Sequence, residues 1–324
     1  MPDSDEFERL AHPYRRELLA HCYRMLGSVH DAEDLVQETY LRAWRAFDGF
    51  EGRSSVRTWL YRIATTACLT ALERRGRRPM PSGLGGPNPA PDLAIASPSP
   101  EITWLQPFPD VLLGAETDPA AIAMQRSSLR LALIAAMQHL PPRQRAILIL
   151  RDVLQWRAAE VADLLDTTGT AVNSALLRAR AQVQSAAPVE TELSEPVDAD
   201  RRRVLDRYMA AFAEADMPAL IGLLTTDATL EMPPFRAWFT GRRTIVRFLT
   251  ARCAEHGPVR MVPVSANGEP AVAAYLPDGE GRLIAHSVQV LTVVEGLISR
   301  IDAFLDPELF DVFGLPRIRA LVPR

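Results

Sequence analysis

The hydrophobic residues between positions 31 and 47 recur every three or four residues, which is the spacing of one face of an α-helix. This stripe comprises Ala32, Leu35, Val36, Thr39, Tyr40, Ala43 and Phe47. The opposite face is charged or polar, and Asp34 and Glu38 lie one turn apart on it, so their carboxylates point the same way. The pattern predicts an amphipathic helix whose acidic face is either plain solvated surface or a reversible interface with a partner.

A second helical pattern, between residues 140 and 185, is typical of a helix-turn-helix. It predicts one helix beginning at Leu140, a second over residues 158–165, and a turn at residues 166–169 in which Thr168 caps a third helix over residues 170–182. The buried stripe of the third helix would be Val172, Ala175, Leu176, Ala179 and Val183. Its outward face would carry Thr170, Asn173, Ser174, Leu177, Arg178 and Arg180. The outward arginines favour a DNA-reading helix, and a three-helix bundle that binds no DNA is the alternative.

Residues 79–120 break the helical pattern with ten prolines and several glycines and serines, which predicts a linker rather than a packed element. Within it, residues 102–110 are unlike a linker because they include the aromatic residues Trp104 and Phe108. This cluster either docks on a protein surface or is a chance hydrophobic run. A second, short and acidic linker is predicted over residues 188–196.

The C-terminal third combines helical patterns with alternating ones. A helix is predicted over residues 201–215, and strands over residues 259–266, 271–276, 286–294 and 297–305. The Glu-Gly pair at 295–296 signals a two-residue hairpin turn, which would place Gln289 opposite Asp302. Alternation then puts His286 and Asp302 on opposite faces of the sheet, so they could not form an acid–base pair. A three-residue loop would reverse this parity.

Composition and charge narrow the class of protein. The 324 residues suffice for two or three domains, and the 48% hydrophobic content supports buried cores. Without a bilayer-spanning apolar run or a signal-peptide pattern, a soluble cytoplasmic protein with no membrane partner is expected. Cys22, Cys68 and Cys253 show no metal-ligand spacing, so neither a metal nor a cofactor is expected.

Charge bears on a nucleic-acid partner. The net charge of -4 disfavours one weakly, but residues 121–185 carry eight arginines against four acidic residues. All 36 basic residues are arginine, whose planar guanidinium suits phosphates and guanine edges. The local distribution of charge therefore supports binding of nucleic acid by this region.

Three parts of the chain resemble known families. The blocks DAEDLVQETYLRAWR and FEGRSSVRTWLYRIATTACLTALERR resemble domain 2 of the extracytoplasmic-function (ECF) sigma factors of bacterial RNA polymerase. The block LPPRQRAILILRDVLQWRAAEVADLLDTTGTAVNSALLRARAQV resembles domain 4 of the same factors. The C-terminal third resembles the SnoaL-like, NTF2-like extension that some of them carry.

The resemblance implies two all-α sigma domains, the second a helix-turn-helix, followed by an α+β NTF2-like cone domain. The expected boundaries are 7–78 for domain 2, 79–120 for the Pro-rich linker, 121–185 for domain 4 and 200–324 for the SnoaL-like domain.

The resemblance also implies roles and partners: a sigma factor binds the β′ and β subunits of core RNA polymerase and directs initiation at promoter DNA. Docking on the β′ coiled coil is implied for Asp34, Leu35, Val36, Gln37 and Glu38. Recognition and melting of the minus-10 element, in which aromatic rings stack on bases and arginines hold the backbone, is implied for Phe50, Arg53, Ser54, Arg57, Arg62, Arg74 and Arg75. Contacts of the helix-turn-helix with the minus-35 element are implied for Ala158, Glu160, Thr168, Thr170, Asn173, Ser174, Leu177, Arg178 and Arg180. Trp59 aligns with Ile63 and Ala67 along its helix, which favours a core position over base stacking.

Two other functions stay open: a helix-turn-helix regulator that senses a ligand, and a SnoaL-like isomerase or cyclase regulated by the N-terminal helices. We expect no catalytic residue. We expect instead that the C-terminal domain modulates the sigma domains, with a small molecule as its candidate ligand. Its docking on the long linker is expected at residues 104–109, with residues 306–310 as a second candidate segment.

Overall fold

The computed structural model describes residues 4–52, 54–74, 76–92, 97–113, 119–186, 198–256 and 259–320. The chain divides into two compact units. The first contains Met1–Arg78 and Leu112–Glu192, and the second contains Pro79–Val111 and Leu193–Arg324. Among the described residues, no helix has both the length and the apolar character that crossing a membrane requires.

The first unit is helical. Its α-helices are α1 Ser4–Ala11, α2 Arg15–Leu26, α3 Val29–Ala46, α4 Val56–Arg74, α5 Pro119–Ser127, α6 Leu131–Gln138, α7 Pro142–Leu148, α8 Ala158–Leu164 and α9 Gly169–Ala186. Short 3-10 turns cover His12–Tyr14 and Phe47–Gly49, and a π-helical turn over Ile149–Val153 extends α7.

Helix α3 forms where the hydrophobic spacing predicts it. It begins after Ser28, whose hydroxyl accepts a hydrogen bond from the backbone N–H of Asp31 at 3.2 Å. The predicted stripe is buried at Ala32, Val36, Thr39 and Ala43. Leu35, Tyr40 and Phe47 are only partly buried. The prediction that this stripe faces the core is therefore confirmed for the four residues in the middle of the helix.

The helix-turn-helix is also confirmed. The buried residues of α9 are Val172, Ala175, Leu176, Ala179 and Val183, as predicted. The Thr168 hydroxyl accepts a hydrogen bond from the backbone N–H of Ala171 at 3.2 Å and caps the helix. In the preceding turn, Asp166 has a φ of 49°, a left-handed conformation that short polar side chains tolerate. The helix extends four residues beyond its predicted end.

Buried arginines hold the two predicted helical domains together in the first unit. Arg145 of α7 is 2% exposed and donates to the carbonyl of Met25 at the end of α2. Arg24 of α2 donates to the hydroxyl of Ser128 at 2.8 Å. Burial lowers the pKa of each of these guanidinium groups to about 10. These contacts join helices that precede the Pro-rich segment in the sequence to residues that follow it.

The second unit contains the sheet. Its helices are α10 Asp198–Ala213, α11 Met217–Leu223, α12 Arg242–His256 and α13 Leu309–Val312. Its strands are β1 Leu224–Glu231, β2 Trp238–Thr240, β3 Arg260–Ala266, β4 Glu269–Pro277, β5 Arg282–Val294, β6 Leu297–Phe304 and β7 Ile318–Ala320. The order in the sheet is β2-β1-β6-β5-β4-β3, with β7 paired to β5. Strands β1 and β6 run parallel, and the other pairs are antiparallel. The four predicted strands are confirmed, and α10–α12 pack on one face of the sheet through a common apolar cluster.

The predicted register of the hairpin holds only next to its turn. Val294 pairs with Leu297 as predicted, but an irregularity follows at Thr292, and Asp302 then pairs with Val290. The prediction that Gln289 faces Asp302 was therefore wrong, because a bulge adds one residue to β6. The predicted alternation of side chains had placed His286 and Asp302 on opposite faces of the sheet. Because the bulge breaks this alternation, the argument no longer excludes an acid–base pair of these two residues.

The Pro-rich segment 79–111 packs within the second unit, although we predicted a linker with no packed element. Trp104, Leu105 and Phe108 are buried. The backbone N–H of Phe108 donates to the Asn267 side-chain oxygen at 2.8 Å, and the N–H of Asn267 donates back to the Phe108 carbonyl at 2.9 Å. The expected docking of residues 104–109 on the C-terminal domain is thus observed, without the periodicity of a helix or strand.

The second candidate docking segment packs within the same unit. Phe310 is buried, and its ring meets the ring of Tyr275 edge-on at a centroid distance of 5.0 Å. Residues 306–310 therefore complete the packing around β4.

Candidate nucleic-acid interface

The five candidate polymerase-binding residues on α3 differ in accessibility. Asp34 and Gln37 are exposed, and Leu35 is half-buried. Glu38 is partly exposed and forms an ion pair with Arg42 one turn later, with 2.7 Å between Oε1 and Nε. Val36 is almost fully buried, so its side chain packs in the core of the helical unit.

An aromatic groove lies beside this polar face. Its volume is about 570 Å³, and its apolar lining is Phe7, Val36, Tyr40, Leu41 and Trp44. Leu41 is 51% exposed, and the rings of Phe7 and Trp44 meet edge-on at 5.5 Å. The sequence did not predict this groove, because its lining comes from α1, the 3-10 turn at His12, the start of α2 and α3. The sequence feature that could have indicated the groove is Leu41, an apolar residue that lies outside the predicted hydrophobic stripe of α3.

In the candidate minus-10 region, an aromatic ring of the loop packs against an aromatic ring of α4. Phe50 lies against Trp59 with the ring centroids 4.7 Å apart and the planes inclined by 33°. Trp59 is half-buried, so it occupies the edge of the core rather than its centre. Ser54 is half-buried and Arg74 is exposed, while Arg53 and Arg75 fall outside the described residues.

Two candidate arginines of α4 already bind carboxylates. Arg57 donates from Nε to Glu17 at 2.9 Å, and its guanidinium lies 5.0 Å from the centroid of the Tyr61 ring. Arg62 contacts Asp163 of α8, with 2.5 Å between Nη1 and Oδ2. A DNA phosphate would have to replace these carboxylates before either arginine could hold it.

The outer face of α9 is open to solvent at the residues that the sequence indicates. Thr170, Asn173, Ser174, Leu177 and Arg178 are all exposed. They form a continuous polar surface with one apolar side chain, which is the geometry of a helix that can enter a DNA groove.

The other candidates of this motif have structural partners. Arg180 donates from Nε and Nη2 to the two carboxylate oxygens of Asp152, at 2.9 and 2.6 Å. Glu160 accepts the backbone N–H of Arg157 at 2.7 Å, which lowers the pKa of its carboxyl. Ala158 is the first residue of α8, and Thr168 caps α9. These four residues position the helices, and α9 carries the accessible groups.

Buried polar groups in the first unit belong to its core. His21 shares a hydrogen bond of 2.9 Å with the Thr65 hydroxyl, and burial, assisted by Arg24, lowers the pKa of its imidazole to about 3. A hydrogen bond with Cys22, together with burial, raises the pKa of the Cys68 thiol. Within the described ranges, no cluster of three or more His, Cys, Asp or Glu side chains could hold a metal ion.

Comparison with known proteins bears directly on this arrangement. Residues 10–78 match the sigma-70 region 2 family, residues 130–183 match sigma-70 region 4, and residues 205–301 match the SnoaL-like domain. The chain is 50% identical over 314 residues to the ECF RNA polymerase sigma factor SigG of Mycobacterium tuberculosis, covering 96% of this chain and 84% of the relative. It is 29% identical over 327 residues to SigJ of the same organism, covering 97% and 95%.

The fold has a counterpart among solved structures. The crystal structure of Mycobacterium tuberculosis SigJ superposes with a TM-score of 0.62 at 24% identity, covering 97% of this chain and 100% of the other. The predicted fold class is therefore confirmed. With the two sigma regions, the exposed outer face of α9 and the SigG relationship, the chain belongs to the ECF RNA polymerase sigma factors, and it directs transcription with a SnoaL-like domain at its C-terminal end.

Proposed function

We propose that this sigma factor binds core RNA polymerase through α3, reads the minus-35 element through α9 and opens the minus-10 element through α4 and the loop before it. The single observation that carries the proposal is the outer face of α9, where Asn173, Ser174 and Arg178 are exposed above a fully buried stripe. Phosphate contacts from arginine would position this helix, and contacts to base edges would give specificity.

Core docking is supported by the face that α3 leaves accessible. Asp34 and Gln37 are exposed beside the aromatic groove, and Gln37 also lines it. An apolar pocket with a polar rim is the usual composition of a protein interface. The acidic residues favour a partner surface that is rich in arginine or lysine.

Charge reversal tests the docking surface. In the full-length chain, Asp34→Arg with Glu38→Arg should weaken binding of core RNA polymerase at least tenfold, measured by fluorescence anisotropy, while thermal unfolding stays unchanged because both side chains reach solvent. A matched double reversal, Asp206→Arg with Glu214→Arg, alters exposed acids of the second unit and should leave the affinity as it was. Equal affinities for the folded α3 variant and the wild type would exclude this surface.

Promoter opening is proposed to recruit the arginines of α4. Both Arg57 and Arg62 now neutralise carboxylates, of Glu17 and Asp163 respectively. Exchange of such a partly exposed pair for a phosphate costs little, since exposed ion pairs contribute about 0–1 kcal/mol. The tilted pair of rings of Phe50 and Trp59 offers an aromatic surface for an unpaired base next to these cations.

The C-terminal domain is proposed to modulate transcription by holding the chain that joins the two sigma regions. Segment 79–111 is fastened to this domain at several points. The N–H and hydroxyl of Ser82 donate to the buried Glu231 carboxylate at 2.8 and 2.9 Å, and the N–H of Asn88 donates to the Trp238 carbonyl at 2.7 Å. Fixing this segment restricts the reach between domains 2 and 4.

We further propose that this domain performs no catalysis and that a small molecule is the candidate ligand of its cone. The alignment with SigG spans 96% of the chain, so the SnoaL-like part is shared with a relative named as a sigma factor.

Run-off transcription with full-length protein and with residues 1–199, at equal core affinity, tests the modulation. A several-fold difference is expected, and equal yields would show that the domain does not regulate.

A further inference from the structure

One large apolar side chain stands on the outer face of α9. Leu177 is 71% exposed, whereas the other apolar residues of this helix that are bulkier than alanine, Val172, Leu176 and Val183, are buried. A leucine at such a position gains nothing from water and contributes nothing to the core. It lies among the exposed Asn173, Ser174 and Arg178, on the face of α9 that is proposed to meet DNA.

The helical geometry puts Leu177 near the middle of the DNA-facing surface. At about 100° per residue, Asn173 lies about 40° to one side of it and Ser174 about 60° to the other. Arg178 lies farther out at about 100°, where a guanidinium would reach a flanking phosphate. Arg180, on the opposite flank, is held by Asp152. Asn173, Ser174 and Leu177 therefore form the central row that reaches base edges, and Leu177 is the apolar residue in it.

The chemistry of the major groove then selects the group that Leu177 contacts. The edges of the base pairs carry hydrogen-bond donors and acceptors, and the thymine 5-methyl is their apolar group. A leucine side chain has no hydrogen bond to offer. We propose that Leu177 reads a thymine in the minus-35 element by packing on its 5-methyl group. This inference rests on the proposed placement of α9 on that element.

Deoxyuridine provides the test, because it differs from thymidine only by this methyl group. The probe is a promoter duplex that holoenzyme, formed from core polymerase and the full-length chain, selects from a randomised library. Each minus-35 thymine is replaced in turn by deoxyuridine. Loss of one methyl contact should weaken holoenzyme binding about fourfold at one position, which corresponds to about 0.8 kcal/mol.

The variant Leu177→Ala should remove this sensitivity: the same thymine and deoxyuridine duplexes should bind it equally. Met124→Ala, which truncates an exposed apolar residue on α5, should keep the fourfold preference. A thymine preference that persists in Leu177→Ala, or promoter binding insensitive to every deoxyuridine, would overturn the inference while α9 stays on the DNA. If Arg178→Ala and Leu177→Ala both leave binding unchanged, the placement of α9 itself fails.

Discussion

Truncation of Phe108 to alanine should release residues 97–111 from the rest of the C-terminal domain. Phe108 is 0% exposed, and phenylalanine-to-alanine changes in cores cost about 3–5 kcal/mol. The loss should be local, because Phe108 lies outside the apolar cluster that joins α10–α12 to the sheet. The backbone pair with Asn267 remains, but two hydrogen bonds, each worth about 1 kcal/mol net, cannot offset the truncation.

Hydrogen exchange read by mass spectrometry measures this release. Amides in peptides from residues 97–111 should exchange at least a hundredfold faster in Phe108→Ala, as about 3 kcal/mol of lost protection requires. Peptides from β5 and β6 should keep their wild-type rates. Val111→Ala is the matched control in the same segment, because Val111 is 71% exposed and should change nothing. Wild-type protection of the segment in Phe108→Ala would refute the view that this residue anchors it.

Three further predictions concern the first unit. Arg145→Ala should lower the free energy of unfolding of the first unit, measured in urea, by about 3–5 kcal/mol, because several buried carbonyls lose their hydrogen-bond donor. A change below about 1 kcal/mol would contradict this prediction. Asp163→Asn should change stability by less than about 1 kcal/mol, because the pair is 41% and 70% exposed at Arg62 and Asp163, yet should strengthen binding of single-stranded minus-10 DNA by freeing Arg62. Below pH 6.5 the unfolded chain protonates His21 while the folded protein, with a pKa of about 3, does not, so stability should fall as pH drops from 6.5 towards 3. His21→Gln should flatten this dependence relative to His12→Gln, an exposed control.

The sequence was most informative where structure is local. The stripe of α9 and its Thr168 cap follow from spacing within a few residues, and both were confirmed. The contacts of Arg145 with Met25 and of Arg62 with Asp163 could not be predicted, since they join residues 120 and 101 positions apart. Only the assembled fold brings such groups together.

The structure differs from the sequence-based prediction in two other places: the register of the β5–β6 hairpin and the packing of segment 79–111. The bulge in β6 reversed the parity argument for Asp302, because one extra residue changes the face of all that follow. The packing of segment 79–111 was invisible to periodicity analysis, since proline-rich chain packs through single anchors such as Leu105 and Phe108. Among the site residues, Arg178 and Arg180 are both exposed, and only the structure shows that Arg180 is bound to Asp152, whereas the sequence treated the two alike.

Promoter-specific run-off transcription tests the central claim most directly. Core polymerase with the full-length chain should yield a discrete transcript from the selected promoter, and Arg178→Ala should reduce its yield about tenfold or more at subsaturating holoenzyme, as the loss of a charge-assisted phosphate contact worth about 1.5–3 kcal/mol requires. Asp206→Arg, at an exposed position of the second unit, should leave the yield unchanged. An undiminished transcript from the folded Arg178→Ala variant would contradict the assignment of α9 to promoter recognition.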